Sequence, residues 1–326
     1  MNMSMLTILD IAKANGVDAV TGLIDETIKA HPELTLIPSR TIRGINYKTL
    51  VRTALGTTTA GFRSINAGVA DLANVYENRL VEAFPLEARW TVDKALADSY
   101  EDGAAALLAL EAAGVMEGQM QGLAAQFYYG TGTGGNSAGH PGLINAYDST
   151  NMVIDAGGTT ASTGSSAWII CAGPTDVQWV WGNAGQLELT PAANQVLSQP
   201  TLVVDSNDST KKFLGYSQTL SARVGLQVGS TRSVVRIKKL TEDSGKGLTD
   251  SLIAQALALL PVGKVPAVIM MNRRSRRQLQ VSRSVTISAS TRVGGGVGNV
   301  ADLPTEAFGI PIAVTDAISS TEALTL

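Results

Sequence analysis

Few residues in this chain are of types that carry chemistry, and their spacing argues against each reaction in turn. The run Gly130–Asn136, GTGTGGN, has the glycine density of a loop that wraps a pyrophosphate. Such a loop must follow a strand and open a helix, so that backbone N–H groups and the helix terminus meet the phosphates. Here it follows a long Ala- and Gly-rich helical run, and no helix clearly begins after it. The stretch SGKGLTD around Lys246 has a Gly–Lys pair. It lacks the first glycine of a P-loop and the Ser or Thr that must follow the lysine. It reads as the turn before a helix.

The two histidines, His31 and His140, each stand beside a proline in loop-like sequence. Neither has a metal-binding spacing to Cys171. As the lone cysteine, Cys171 excludes an internal disulfide and a Cys-based zinc site. Within SSAWIICAG it reads as a buried small hydrophobe. A Ser–His–Asp triad is a spatial arrangement that chain order does not reveal, but no G-x-S-x-G elbow is present. The sequence thus predicts no catalytic residue, no cofactor and no metal. Its strongest charge feature is Arg273, Arg274, Arg276 and Arg277, with Arg283 beyond. Such a cluster can meet nucleic-acid phosphates. In a chain of net charge −3 the simpler reading is a solvated helix face that also pairs with a neighbour.

Composition points the same way. Charged residues make up 16% of the chain, against ~25% in a typical soluble domain. Glycine is abundant, with 33 in 326 residues. Low charge and much glycine suit a surface largely covered by partners, although composition alone equally describes a neutral, loop-rich soluble domain. The length suggests two domains. No segment approaches the ~20 apolar residues that span a bilayer. The N-terminal run MNMSMLTILDIAKANGVDAV lacks a basic n-region and reads as amphipathic helix, not signal peptide.

The elements that must position these residues follow from periodicity. Residues 4–30 carry apolar residues at helical spacing on either side of Asn15–Gly16, predicting two short helices. Pro32 and Pro38 then predict an extended strap. Over 39–92, polar and apolar residues alternate in two arms, Arg40–Arg52 and about Asn74–Trp90. They are joined by the Gly- and Thr-rich tip LGTTTAGFRSINAGVAD. This pattern describes a long hairpin, and a protruding hairpin needs a partner to cover its edges.

Residues 101–127 predict a helix about 40 Å long. Gly114, Gly118 and Gly122 fall four apart on one face, each costing roughly 1 kcal/mol relative to Ala. A smooth face of that kind suits close packing. From Ala167 to Ile237 the runs AWIICAG, VQWVWG, TLVVD, TLSARVGLQVG and RSVVRIKKL predict an antiparallel sheet. LTDSLIAQALALL predicts a helix capped near Thr249 and stopped by Pro261. PAVIMMN predicts a buried strand running into RRSRRQLQ, and after VGGGVGN a last strand covers Phe308–Thr315. Strands before and after helices give an α+β architecture.

In order, these pieces are an arm, a long hairpin, a Gly/Ala-rich helix ending FYYG, a glycine-rich loop and PGL, then a strand-rich block with VVRI. The helix LTDSLIAQALALLP, AVIMMNRRSRRQL and FGIPIAVTDAI complete it. This series resembles the major capsid proteins of tailed double-stranded-DNA phages, the HK-97-like fold, and within them the epsilon-fifteen type of podovirus. The most specific pieces are Phe127–Gly130 with Pro141–Leu143, Met271–Arg273, and Gly309–Asp316. The resemblance covers the chain from about residue 5.

The resemblance implies an N-terminal arm over 1–38 and an extended E-loop hairpin over 39–92. A P-domain would hold a spine helix and Gly-rich loop over 93–166 and strands over 167–240, and an A-domain would take 241–326. The family prototype places its P-domain strands after the last A-domain strand, and this sequence departs from that order. The resemblance implies assembly into hexamers and pentamers, with portal, scaffold and decoration proteins as partners, packaged DNA bound non-specifically, and no membrane. It places the protein in the virion capsid, made in the host cytoplasm. No long charged coiled coil precedes residue 1, so a scaffold is expected either as a separate protein or as a removed segment. Some members cross-link an E-loop lysine; Lys48 lies in that loop, but no partner is identifiable and no cross-link is predicted. Candidate intersubunit charges are Arg40, Arg43, Lys48, Arg52, Arg63, Glu77, Glu82 and Glu87. Two other readings of the sequence are an encapsulin-like nanocompartment shell and a small-molecule enzyme of α+β fold.

Overall fold

The computed structural model describes Asn15 and residues 25–190, 199–205, 210–290 and 301–325. Of the helix pair expected over 4–30, only Asn15 and residues 25–30 are described, and 25–30 are not helical. The VGGGVGN stretch lies outside the described residues. The strap is not wholly extended, because one helical turn, α1 (Glu33–Leu36), follows Pro32. A proline fixed at φ −65° is already set for a helix start. Extended backbone returns at Ile37, the residue before Pro38.

The strands expected in one antiparallel sheet are divided between two mixed sheets. The first runs β1 (Ser39–Thr41), β7 (Val177–Trp181), β10 (Lys212–Val228), β4 (Phe84–Asp93). Two short strands, β8 (Glu188–Thr190) and β9 (Thr201–Val204), also pair with the 17-residue β10. The second runs β13 (Glu306–Ala307), β14 (Ile310–Val314), β12 (Val268–Met271), β6 (Ser165–Ile170), β11 (Val234–Leu240), β5 (Val153–Asp155). Thus β6 and β11, expected with the 167–240 block, share a sheet with strands from beyond residue 241.

The hairpin is narrower than expected. Its arms are β2 (Asn46–Ala54) and β3 (Val75–Glu82), a two-stranded sheet of their own. The predicted second arm breaks at buried Ala83, whose N–H goes to the Ile45 carbonyl at 2.8 Å. Beyond it, β4 leaves the hairpin and pairs with β10 over ten residues. A short helix, α2 (Lys94–Ala97), then leads to the long helix α3 (Ala104–Tyr129), and the single turn α4 (Leu143–Ala146) follows the glycine-rich loop.

Helix α3 buries its two ends and little between. Leu107 and Leu108 pack with Val92, Leu96 and Tyr216. Leu123 and Phe127–Tyr129 enter the main core with Trp168 and Trp179. The middle is solvated, and Gly114, Gly118 and Gly122 face open space in the subunit. The close packing expected of that face is therefore absent among the described residues.

The second sheet is buried on both sides, which explains the unbroken apolar run in β6. Trp168 and Ile170 point to the α3 end and Trp179. Ala167 and Ile169 point the other way, to Ile253 of α5 (Asp250–Leu259) and Leu279 of α6 (Arg273–Ser290). The expected cap holds: Thr249 accepts the Leu252 N–H through its side chain, and Pro261 follows the helix end.

One buried polar joint ties the C-terminal segment to this layer. The Tyr129 hydroxyl donates to Glu322 at 2.6 Å and accepts the Ser319 N–H at 2.8 Å. Ser166 donates to the same Glu322 oxygen, and the second oxygen meets Arg236 at 3.2 Å. The Arg236 guanidinium also lies 5.1 Å from the centre of the Trp168 ring. Desolvating such a pair is costly, and removing one partner leaves a buried uncompensated charge. Glu322→Gln is therefore expected to cost about 3–5 kcal/mol in urea unfolding. The double variant Glu322→Leu, Arg236→Met should recover most of that loss. A single variant as stable as the parent would remove the joint from this account.

Candidate functional site

Each motif tested for chemistry is used up in structure. The glycine-rich loop after α3 is folded around the Gln126 side chain. Gln126 donates to the carbonyls of His140 at 2.7 Å and Asn136 at 3.1 Å, and accepts the Asn136 N–H at 2.6 Å. The Thr131 and Gly142 amides donate to the Asn145 side chain, the Gly132 amide to the Tyr129 carbonyl at the helix end, and the Gly135 amide to the Gly132 carbonyl. Amides already committed inward cannot cradle a phosphate. The glycines are required by approach distance: a Cβ on Gly142 would stand 2.4 Å from the Gly130 nitrogen.

The stretch around Lys246 is a turn, with Thr241 N–H donating to the Lys246 carbonyl and Lys246 N–H to Asp243. His140 is buried edge-on to Trp179, with its Nδ1 donating to the Pro141 carbonyl at 2.9 Å. Burial lowers its pKa, so the ring is neutral at pH 7. His31 lies elsewhere, its Nδ1 on the Lys29 carbonyl at 2.8 Å. Cys171 is buried, and burial with the nearby Asp176 charge pushes its thiol up to about 11. A thiol that stays protonated is a poor nucleophile and metal ligand. Among the described residues, no cluster of three or more His, Cys, Asp or Glu is placed to hold a metal.

The arginine cluster separates once folded. Arg274 turns inward, to the carbonyls of Thr163, Ser320 and Leu240 at 2.5, 2.8 and 3.2 Å. Arg276 donates to the Pro304 carbonyl at 3.0 Å. Arg283 grips Asp250 through two bonds of 2.7 and 2.8 Å. Arg273 and Arg277 are exposed, and Arg273 meets Asp316 at 2.6 Å.

Among the described residues, the surface that lacks internal partners is the hairpin beyond its root. Tyr47, Ile42 and Val81 anchor its root against Val180. Beyond the root both faces are open: Leu50 is 70% exposed, Phe62 96% and Ile65 93%, with Val69, Leu72, Val75, Tyr76 and Leu80 also exposed. Arg43, Lys48, Arg52, Arg63, Glu77 and Glu82 all lie exposed on or beside it. Arg40 stands on β1 over the Tyr47 ring, and Glu87 on β4. None of these eight forms an ion pair among the described residues. A second open surface follows the glycine face of α3. A cavity of about 290 Å³ there is lined by Gly118, Gly122, Phe84, Leu86 and His140. It adjoins a hollow of about 380 Å³ beside Leu110, Glu111, Gly114 and Val115.

A chain that exposes this much apolar surface on a ribbon too thin to have a core is built to be covered. Comparison with known families identifies the class: the family model described as Major capsid protein GP7 matches residues 34–325. The chain belongs to this family. As a capsid subunit it is a structural protein, and it self-assembles into the icosahedral head of a tailed phage. Its fold is the HK-97-like α+β capsid fold. A near-atomic structure of bacteriophage Epsilon15 shares it, with TM-score 0.69 and 21% identity over 99% of this chain and 98% of that one. The bacteriophage JBD30 capsid aligns at TM-score 0.48 and 10% identity, over 97% and 96% of the two chains. The SrpI encapsulin of Synechococcus elongatus PCC 7942 aligns at 0.45 and 9%, over 72% and 95%. No curated protein matches the chain.

The charges of this capsid subunit's arms are legible in their alternation, whereas the apolar residues of the tip are not. Phe62, Ile65, Val69 and Leu72 stand in Gly- and Thr-rich sequence without regular period, and their signal is that large apolar residues occur in a tip at all. The folded arginines give a direct contrast. Arg274→Ala should destabilise the subunit by about 1–3 kcal/mol, because three carbonyls lose a donor, those of Thr163 and Leu240 in part-buried bonds. Arg277→Ala should change stability by less than about 0.5 kcal/mol. Equal thermal shifts for the two would refute the inward role of Arg274.

Proposed function

We propose that this subunit builds the head as hexamers and pentamers, and that each hairpin clasps the adjacent subunit, its tip resting in the groove along that neighbour's α3. The observation that carries this reading is the fully exposed apolar hairpin tip, Phe62 and Ile65 above all. The proposed receiving surface supports it. Gly114, Gly118 and Gly122 leave room there for another chain's side chains. Helix α3 carries Glu111 and Glu117 and no basic residue, while the tip carries Arg63. Heterologous contacts of this kind close into rings when the rotation permits.

In this reading residues 1–38 are the arm and the β2–β3 hairpin is the E-loop. The first sheet with α3 forms the peripheral lobe, and the second sheet with α5 and α6 the axial lobe. Arg40, Arg43, Lys48, Arg52, Arg63, Glu77, Glu82 and Glu87 supply charges to the neighbour, and Arg273 and Arg277 are the members of the basic cluster left to meet DNA or another subunit. Portal, scaffold and decoration proteins would meet the assembled shell. Assembly would take place in the host cytoplasm; no described helix is long and apolar enough to cross a membrane.

Deleting residues 56–68 tests the clasp. The shortened chain is expected to remain a folded, soluble subunit and to yield no shells by negative-stain electron microscopy and light scattering. Intact shells from it would sink the proposal.

A further inference from the structure

The strap over residues 25–38 crosses three elements that belong to different layers. Ala30 pairs both ways with Asp316, its N–H on the carboxylate at 2.9 Å and its carbonyl on the Asp316 N–H at 2.9 Å. Gln121 of α3 donates to the Thr27 carbonyl at 3.0 Å. Trp179 of β7 donates to the Glu33 carbonyl through Nε1 at 3.0 Å, and its backbone N–H to Pro38 at 2.9 Å. At the centre of these contacts is a carboxyl group cut off from solvent, since Glu33 is 0% exposed.

The protons at this junction can be counted. Thr315 Oγ1 lies 3.2 Å from Glu33 Oε1 and 3.3 Å from the Ala30 carbonyl, and accepts the Ala317 N–H at 3.0 Å. A hydroxyl has one proton to give. The Ala30 carbonyl can only accept, so when Thr315 donates there, the Glu33 contact becomes a hydrogen bond only if Glu33 itself carries the proton. The other Glu33 oxygen lies 3.5 Å from the Tyr128 hydroxyl.

No cation faces Glu33 among the described residues; its own N–H and the Thr315 and Tyr128 hydroxyls can donate to a carboxylate there, but burial outweighs them. From α3 comes Tyr128, neutral and with its own ionisation pushed up by burial. From β7 comes Trp179, which does not titrate. From the segment after β14 comes Asp316, a carboxylate that opposes a second negative charge and is paired with Arg273. On the strap itself is His31, which faces Glu117 of α3 at 3.8 Å. Among the described residues, Glu33 has no salt bridge.

We propose that Glu33 is a proton-operated latch, clamping the N-terminal strap to the subunit when protonated and loosening it when ionised. Burial raises this carboxyl from 4.5 to about 7 when the strap is docked. The docked state therefore holds a proton that the undocked state has lost across that interval. The latch contribution is complete below pH 4.5, falls as pH rises, and is gone above about 7.

Hydrogen–deuterium exchange of the full-length chain between pH 5 and 8 tests this, read at the amides of Thr35 and Leu36, which close the single turn of the strap. After correction for intrinsic exchange, protection should fall about tenfold per pH unit up to about pH 7, roughly 100-fold from pH 5, and then level off. Glu33→Gln, which keeps a neutral group of the same shape, should give a flat profile. Asp316→Asn should retain the slope, and it keeps the test decisive if the glutamine variant does not fold. A flat wild-type profile overturns the latch, as does a Glu33→Gln profile with the wild-type slope or loss of the slope in Asp316→Asn.

Discussion

The subunit depends on the last turn of its long helix. Phe127, Tyr128 and Tyr129 leave α3 in three directions and reach three layers. Phe127 lies against Trp179 of the first sheet with ring centres 5.2 Å apart. Tyr128 packs near Trp168 of the second sheet and meets Glu33 of the strap. Tyr129 holds Glu322 and, through it, Arg236 and the C-terminal segment. Successive helical residues are about 100° apart, so three adjacent large side chains must enter separate regions. Gly130, at φ +52°, then turns the chain sharply enough for the loop to pack back against the helix end. A buried ion pair is weak evidence of stability, but it fixes geometry strictly because a misplaced partner leaves a charge unpaired.

What this joint does not hold is equally informative. Among the described residues, the glycine face of α3 and the outer hairpin pack against no other apolar element of the subunit, although both are regular elements. A two-stranded ribbon has no interior, and its backbone pairing alone is marginal in water. Its large apolar residues would normally be selected against on a free surface. In the proposed clasp the two surfaces meet as a projecting apolar ribbon with Arg63 at its tip and a glycine-lined groove beside Glu111. Membership of the GP7 family gives this incompleteness its reason, since a shell subunit finishes its core only when its neighbours are present.

Much of this was legible in the sequence, for identifiable reasons. The helix capped by Thr249 and the long Gly/Ala helix were readable because capping and stop signals are local. Strands such as β6 and β12 were readable because a strand buried on both faces is an unbroken apolar run. Which strands share a sheet was not readable, because pairing is set by contacts between distant residues, and β6 finds its neighbours in β11 and β12. The second arm of the hairpin looked continuous because alternation persists through Ala83, while the hydrogen-bond partner changes from β2 to β10. The arginine cluster looked like a single basic patch because its members are adjacent, yet 100° steps send Arg274 inward and leave Arg277 outside. Glu33 and Glu322 gave no signal at all, since a carboxylate in a strap or tail is ordinarily solvated.

Cryo-electron microscopy of assembled particles tests the central claim most directly, read at the position of the hairpin tip. The account predicts Phe62 and Ile65 buried against the adjacent subunit, over the glycine face of its helix α3. A tip that stays solvent-exposed in the shell, or folds back on its own subunit, would contradict it.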